Sequence, residues 1–302
     1  MGNVPTNKSN LKKSMSITGI IFLIPAAVFL IYADYVPFAW NFILSFQQWD
    51  GYQKMKWVGI DNYKRAFGDK LVGSSLYNSV YLALFSTFFA VVLGVILAML
   101  VYKITKKEGA IYRLILFMPG MMPLAVVALL FTFLYNPEMG LINNLLKLIG
   151  LGSLKTAWLE NKHTIMICIA MVNIWRMTGL TMILCYSSMQ MIPASLFESS
   201  KLDGASYKTQ VFSIILPLIK PIIQLATIFI LAANFKTYDT VAVMTGGGPG
   251  NISKTIPIYM VDTAFTNSEF GYAATMGVIL TVIILIIIAL TNKFMGGEQY
   301  EF

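Results

Sequence analysis

The sequence predicts an all-α integral membrane protein with six transmembrane helices, and three observations lead to this fold class. The chain of 302 residues is 57% hydrophobic and only 12% charged, about half the charged fraction of a soluble domain. Its mean hydropathy is +0.70. Its apolar residues form six long runs, most of them of about 20 residues or more, the length that crosses the hydrocarbon core of a bilayer.

Polar segments separate the six predicted spans. The spans cover residues 17–46, 75–101, 111–135, 164–189, 214–235 and 272–292. We therefore expect one membrane domain over 17–292, with a tail at each end, 1–16 and 293–302. An even number of spans places both tails on the same side of the membrane.

Individual spans carry residues that predict their shape. Pro25 and Pro37, with Asp34 between them, predict a kink in the first span. In the second span, Gly94 and Ala98 form a pair of small residues that lets another helix approach closely.

The third span contains two prolines, Pro119 and Pro123. Within a bundle, neighbouring helices are expected to satisfy the carbonyls that these prolines leave free. The span is therefore predicted to run through both prolines.

Composition narrows the function classes. The net charge of +8 suits nucleic acid, but the basic residues lie at span ends and are not interleaved with stacking aromatics. That pattern is typical of membrane flanks facing anionic lipid. A single histidine, His163, leaves no histidine-based metal cluster or triad. Cys168 and Cys185 lie about 25 Å apart along one predicted helix and are interpreted as apolar packing residues. No catalytic residue and no metal site is predicted.

The segment 193–217 is the longest polar, helix-compatible stretch between two apolar runs. Pro193 suits a first helical turn, and Gly204 after Asp203 is a helix stop. A second helix is predicted after the glycine, because apolar residues then recur at helical spacing. They are Tyr207, Val211, Ile214, Ile215 and Leu218. The pattern predicts a helix, a glycine turn and a helix at the membrane surface.

This segment resembles the EAA loop of binding-protein-dependent ABC importer permeases. The family pattern is Glu-Ala-Ala, three residues, Gly, nine residues, Ile, one residue and Leu-Pro. The matching positions here are Glu198, Ser199, Ser200, Gly204, Ile214, Leu216 and Pro217, with serine in place of both alanines. In the family this loop is cytoplasmic and sits in a groove of the ATPase subunit. Without such a partner, the same pattern would describe an amphipathic surface helix between two spans.

The resemblance implies an ATPase-coupling role for eight residues of this loop. They are Glu198, Ser199, Ser200, Asp203, Gly204, Ala205, Leu216 and Pro217. It also predicts that valine or aspartate at the glycine position abolishes coupling while the spans remain inserted.

Further matches extend the resemblance over nearly the whole chain and favour the carbohydrate-uptake class. They are Ser45-Phe46, 57–63, Asn78, 117–119, 140–143 and the glycine-rich 245–249. The chain is similar to the larger permease of maltose-type importers, without its extra N-terminal spans. A type I importer permease fold with a cytoplasmic coupling loop is therefore expected.

The resemblance also implies partners and a location. The expected partners are a second homologous permease, two ATPase subunits, an extracytoplasmic sugar-binding protein and membrane lipid, with no nucleic acid. ATP and Mg would bind the ATPase subunits, so this chain would hold no cofactor and would not itself be an enzyme. The expected location is a bacterial or archaeal plasma membrane with both termini cytoplasmic. Basic residues divide almost equally between the two sides, but they are denser in the shorter segments on the side of the termini.

Arg176 is the clearest functional candidate, because a charge within a span is costly. Asn173 lies three residues earlier on the same helical face. By resemblance, four positions of this span line the sugar pathway: Asn173, Arg176, Met177 and Leu180. The alternative is that Arg176 is a structural partner of Asp34, Asp239 or backbone carbonyls.

A second polar group ends the fifth span. By resemblance, Asn234 offers an amide to the substrate and Thr237 offers a hydroxyl in place of a second amide. Amides and hydroxyls beside aromatic residues suit sugars. The alternative is capping of the helix end at the water interface.

Other functions remain open at this stage. Arg176 would also suit an anionic or non-sugar solute, such as a uronate oligosaccharide or a glycerol phosphate ester. A stand-alone secondary transporter would show an inverted repeat and paired carboxylates within its spans, and the sequence shows neither. The segment 248–255 resembles a phosphate-binding loop, but Ser253 replaces the required glycine and Pro257 would fall in the following helix.

Overall fold

The structure is a computed structural model that describes residues 22–296. The predicted N-terminal tail 1–16, the first residues of the first span and the end of the C-terminal tail lie outside these residues. The described helices are α1 Phe22–Leu44, α2 Asp61–Gly68, α3 Lys70–Tyr102, α4 Lys106–Met121, α5 Leu124–Leu134, α6 Leu141–Leu148, α7 Ile165–Gln190, α8 Ala194–Leu202, α9 Tyr207–Phe235, α10 Asp239–Met244, α11 Ile256–Val261 and α12 Phe270–Met295. The strands β1 Gln47–Gln48 and β2 Lys56–Trp57 form a short antiparallel pair in which Gln47 lies opposite Trp57.

The all-α membrane fold is confirmed, with one change in the third span. Five helices are long and apolar enough to cross a bilayer: α1, α3, α7, α9 and α12. The predicted third span is present only as a pair of helices, α4 and α5, which are bent by 97° relative to each other. Pro119 is accommodated inside α4, whereas the chain breaks at Pro123. Met122 is extended, with ψ of 142°, because the residue before a proline disfavours the helical conformation.

The ends of the spans define two sides of the molecule. We call the side where α1 begins and α12 ends the termini side, and it also carries the turn between α3 and α4 and all of α8. The other side, here the opposite side, carries the strands, α2, α6, α10 and α11.

Helix α3 lies at the centre of the bundle and packs against α7 and α9. Gly94 permits this packing, because a Cβ at this position would collide with the Thr181 side chain and lie 2.9 Å from the Thr178 carbonyl oxygen. Ala98, one turn further, has no exposed surface. The close helix approach predicted from this small-residue pair is confirmed.

Helix α1 is largely exposed, and within the described chain only its last residue, Leu44, is buried. A widened π-helical turn covers Ile31–Tyr35, in the part of the span where the sequence predicts a kink. Pro37 lies two residues after Tyr35 and has no N–H to donate to this turn, which is a physical reason for the widening.

The segment predicted as two surface helices has a different second half. Helix α8 ends at Leu202, and Gly204 follows with φ of +76°, so the predicted glycine turn is present. The next helix is not separate from the fifth span. It begins at Tyr207, passes through a π-helical turn at Val211–Ile215 and continues to Phe235. The apolar residues of the predicted second helix therefore form the first turns of the span itself.

Polar contacts join distant parts of the chain on the opposite side. Arg65 Nη1 and Nη2 donate to the two carboxylate oxygens of Glu269 at 3.1 and 2.8 Å. The Arg65 guanidinium also lies 3.9 Å from the centre of the Tyr272 ring. Asp69 caps α3 and accepts hydrogen bonds from the hydroxyls of Tyr259 and Tyr272 at 2.8 and 2.9 Å. These contacts fasten the start of α3 to α11 and α12.

The Asp69 carboxylate predicts a pH dependence of stability. Burial alone would raise its pKa, but hydrogen bonds from Tyr259, from the Leu71 N–H and from Tyr272 outweigh burial and lower it. The contribution of ionised Asp69 to folding stability is then complete above the ordinary carboxyl pKa of about 4. It is lost as the pH falls through the lower pKa that Asp69 has in the folded protein. We expect Asp69→Asn to melt a few degrees below the wild type at pH 7, with the difference shrinking in acid. Thermal unfolding from pH 7 to pH 3 tests this, and a difference that stays constant over the range contradicts it.

Candidate functional site

A closed layer of amides and hydroxyls lies where α3, α7, α9 and α10 meet. Asn173 of α7 is 2% exposed. Its Nδ2 donates to Thr237 Oγ1 at 3.4 Å, and its Oδ1 accepts from Thr240 Oγ1 at 3.3 Å. The structure therefore brings together Asn173 and Thr237, which the sequence assigned to one site, and adds Thr240, which the sequence analysis missed.

Asn234 belongs to the same layer but has a different partner. Its Nδ2 donates to Thr87 Oγ1 of α3 at 3.1 Å, and both residues are buried. The sequence analysis also missed Thr87. A hydroxyl in a long apolar span was the only available signal, because its partner lies 147 positions away in sequence.

Arg176 of α7 lies beside this layer. Its Nε is buried and has no hydrogen-bond partner in residues 22–296. Arg176 takes part in none of the ion pairs in that range. An ion pair here has its nitrogen and oxygen atoms at most 4.0 Å apart. Asp34 and Asp239, the two carboxylates considered from sequence, therefore do not pair with Arg176 at that distance.

The two apolar candidates belong to the helix packing. Met177 is 7% exposed and packs with Ala90 of α3 and Ile230 of α9, and half-buried Leu180 packs against the same group. Met177, Asn173, Asn234 and Thr237 are thus all buried within this single chain. A solute reaches them only if the helices separate.

This layer is suited to reversible binding. The neutral amides and hydroxyls of the layer offer hydrogen bonds without a charge. The charged side chains beside it are the partly exposed Arg176 and the exposed Lys236 and Asp239. In residues 22–296, no three His, Cys, Asp or Glu side chains lie close enough together to hold a metal ion.

The second candidate site is the loop around α8 on the termini side. Helix α8 has no buried residue. Glu198, Ser199 and Asp203 are exposed, and Leu202 is 89% exposed at the tip. The loop thus presents carboxylates, a hydroxyl and an apolar residue outside the bundle.

One of the two serines that replace the family alanines has an internal partner. Ser200 Oγ accepts from Gln210 Nε2 at 2.8 Å and donates to the Phe197 carbonyl at 2.9 Å. This hydroxyl therefore ties α8 to the first turn of α9, whereas Ser199 faces outward.

The remaining loop candidates lie at the ends of the turn and in α9. Ala205 is half-buried after the glycine turn, Leu216 is half-buried and Pro217 is exposed. Pro217 lies two residues after the end of the π-helical turn Val211–Ile215. The wider turn accommodates a residue that cannot donate a backbone hydrogen bond.

A bundle of membrane helices with a closed polar layer inside and an exposed helical loop on one surface suits a transport protein. The chain belongs to the family of inner membrane components of binding-protein-dependent transport systems, whose family model matches residues 90–295. The permease identity expected from the sequence is thereby confirmed.

Relatives match along almost the whole chain. The probable ABC transporter permease protein YurN of Bacillus subtilis is 36% identical over 283 residues, which are 93% of this chain and 97% of that protein. The diacetylchitobiose uptake system permease protein NgcF of Streptomyces coelicolor is 31% identical over 92% of this chain and 82% of its own length. The resemblance to carbohydrate-uptake permeases is confirmed by such relatives.

A solved structure supports the fold independently. A chain of a bacterial ABC transporter involved in the import of the acidic polysaccharide alginate superposes with a TM-score of 0.80 at 20% identity, over 95% of this chain and 98% of that chain. At this identity the match concerns the fold.

Proposed function

We propose that this chain is the permease subunit of an ATP-driven importer of sugars or oligosaccharides. The observation that carries the substrate class is the 31% identity, along 92% of the chain, to a permease named for diacetylchitobiose uptake. The buried layer of Asn173, Asn234 and Thr237 supports it, because amides and hydroxyls match the hydroxyl rims of a sugar. The same residues, with Arg176, Met177 and Leu180, would line the path once the helices part.

The loop around α8 would transmit the action of the ATPase. In this proposal the termini side is cytoplasmic, and the exposed α8 docks in a groove of an ATPase subunit that binds ATP and Mg. Glu198, Ser199 and Asp203 would make polar contacts there, and Leu202 would fill an apolar pocket. Nucleotide hydrolysis belongs to the partner, so this chain moves but does not carry out covalent chemistry.

A second permease and a binding protein would complete the importer complex. The exposed apolar surface of α1, buried only at Leu44 within the described chain, supports a helix that packs against another subunit. The family's dependence on binding proteins supports delivery of the substrate to the opposite side. Such a protein would dock near β1, β2 and α6.

Arg176 favours one variant of this function, the import of an acidic carbohydrate. The buried Nε without a hydrogen-bond partner in residues 22–296 is a specific reason, because a buried guanidinium nitrogen gains from a carboxylate or another anionic group. A neutral sugar would offer that nitrogen no charged partner.

The test is the ATPase rate of the importer reconstituted in nanodiscs with its binding protein and a panel of neutral and acidic oligosaccharides. Stimulation by a loaded carbohydrate supports the importer, and failure of every ATPase subunit to associate contradicts it. For an acidic substrate we expect Arg176→Gln to weaken stimulation about tenfold or more, the loss of a hydrogen-bonded charge pair. Lys236→Gln, which removes a nearby exposed charge at the end of α9, is the matched control and is expected to behave as the wild type. Equal loss in both variants contradicts a specific role for Arg176.

A further inference from the structure

A groove between the end of α3 and the start of α9 has two chemically different parts. It forms an open cavity of about 290 Å³ on the termini side. Five of its lining residues are apolar and extend toward the middle of the spans: Ile96, Met99, Leu100, Val211 and Phe212. The other three lie at its outer end: Lys103, Tyr207 and Lys208.

The two lysines of the groove have no carboxylate partner in the described chain. Lys103 Nζ lies 3.5 Å from the centre of the Tyr207 ring, which holds the ammonium group at the mouth of the groove. The ion pairs in residues 22–296 are Lys64–Asp61, Arg65–Glu269 and Lys254–Asp262, and all of them lie on the opposite side. The two ammonium groups at the groove are therefore available to an anion from outside the described chain.

The apolar part of the groove indicates that such an anion also carries an apolar chain. From Lys103 to Ile96 the groove follows two turns of α3, about 10 Å into the span. Leu100 is 54% exposed and Phe212 is 61% exposed, so this stretch is open to an apolar ligand. A free phosphate would meet the lysines but leave the apolar floor uncovered. An amphipathic anion fits both parts.

We propose that the groove binds one anionic phospholipid. Its phosphate lies between Lys103 and Lys208, and one acyl chain runs along Ile96, Leu100 and Phe212. Basic pockets between transmembrane helices recognise anionic headgroups in this manner, and each lysine near the surface strengthens binding. The lipid bridges the end of α3 and the first turn of α9, which begins three residues after the Gly204 turn. It thereby steadies the trailing end of the α8 loop.

Photolabelling tests the site directly. The full-length chain, with any subunits that remain attached, is placed in nanodiscs containing phosphatidylglycerol with a photoreactive acyl chain. We expect labelled peptides from Ile96–Lys103 and Tyr207–Phe212. Lys103→Gln and Lys208→Gln should each reduce labelling about fivefold, and the double variant more than tenfold. Lys103→Arg keeps the charge and should label normally. Lys293→Gln, an exposed change at the end of α12 outside the groove, is the matched control.

Four outcomes overturn the proposal. One is equal labelling by a phosphatidylcholine probe of the same chain length, which would mean unspecific lipid contact. The second is labelling that both glutamine variants leave unchanged. The third is crosslinking of the groove to a second permease, which would give the groove a protein occupant. Competition by free glycerol phosphate would indicate a phosphate site without a lipid and would also overturn it. Labelling requires no transport, so its result is separable from that of the importer test.

Discussion

A chain with valine in place of Gly204 is expected to insert its spans and yet to lose the proposed coupling to an ATPase subunit. Gly204 has φ of +76°, which a β-branched residue adopts only as a strained outlier. The strain costs roughly 1–2 kcal/mol, and the turn relieves it by changing its backbone. Helix α8 would then leave its present orientation, because this turn is the covalent connection between α8 and α9, and a hydrogen bond such as Ser200–Gln210 adds only about 1 kcal/mol.

The choice of substitutions separates strain from other causes. A Cβ at Gly204 would meet no atom within 4 Å, so a steric clash within this chain is not the reason. Gly204→Asn is the matched control, since asparagine tolerates the left-handed region, and it should retain most of the coupling. Gly204→Asp is sterically similar to asparagine but adds a charge, so a loss confined to aspartate would point to repulsion in the ATPase groove.

The measurement is co-purification of ATPase subunits with each variant, followed by the ATPase rate with loaded binding protein. We expect Gly204→Val to lower both at least tenfold while its yield in the membrane stays near that of the wild type. If the valine variant couples normally, the left-handed turn is not needed for docking.

The second large effect is expected at Gly179, where α7 meets α4. A Cβ there would overlap the Leu116 carbonyl oxygen and lie 2.8 Å from the Phe117 Cα atom. Both obstacles are backbone, so the helices must move apart to accept even one methyl group. Overpacking of this kind typically costs about 1–3 kcal/mol, and backbone obstacles place the expected cost at the upper end.

Gly73→Ala supplies the matched comparison in another long helix. A Cβ at Gly73 in α3 meets nothing within 4 Å, and alanine is the better helix former by about 1 kcal/mol. We expect Gly179→Ala to lower the melting temperature clearly and to reduce the yield of folded protein, while Gly73→Ala melts at or above the wild type. Thermal unfolding of the purified chain checks both expectations. Equal melting temperatures would show that α4 can move away from α7 at little cost in folding free energy.

The sequence predicted the spans well because bilayer crossing depends on local composition. Hydropathy alone places the regions of α3, α7 and α12, although α3 begins at Lys70 rather than at 75 and α12 ends at Met295 rather than at 292. The bend between α4 and α5 was missed. A proline in an apolar run can either remain inside a continuous helix or end the helix. The packing of neighbouring helices decides which of the two occurs.

The sites were harder to predict, because their contacts join residues far apart in sequence. The Asn234–Thr87 bond and the Arg65–Glu269 pair span 147 and 204 positions, and no local pattern links such residues. Family spacing correctly located the Gly204 turn. It did not show that Ser200 binds Gln210, because both alanines of the family pattern lack a hydrogen-bonding side chain. The substrate-lining and coupling roles themselves remain predictions.

The length of α3 has a mechanical consequence. Its 33 residues make a rod of about 50 Å, well beyond the roughly 30 Å of a hydrocarbon core. One end is fastened through Asp69 to Tyr259 and Tyr272, and the far end touches Tyr207 through Lys103. If the fastened end acts as a pivot, a tilt of about 5° displaces the far end by about 4 Å. A small rotation at one membrane surface thus becomes a shift of atomic size at the other.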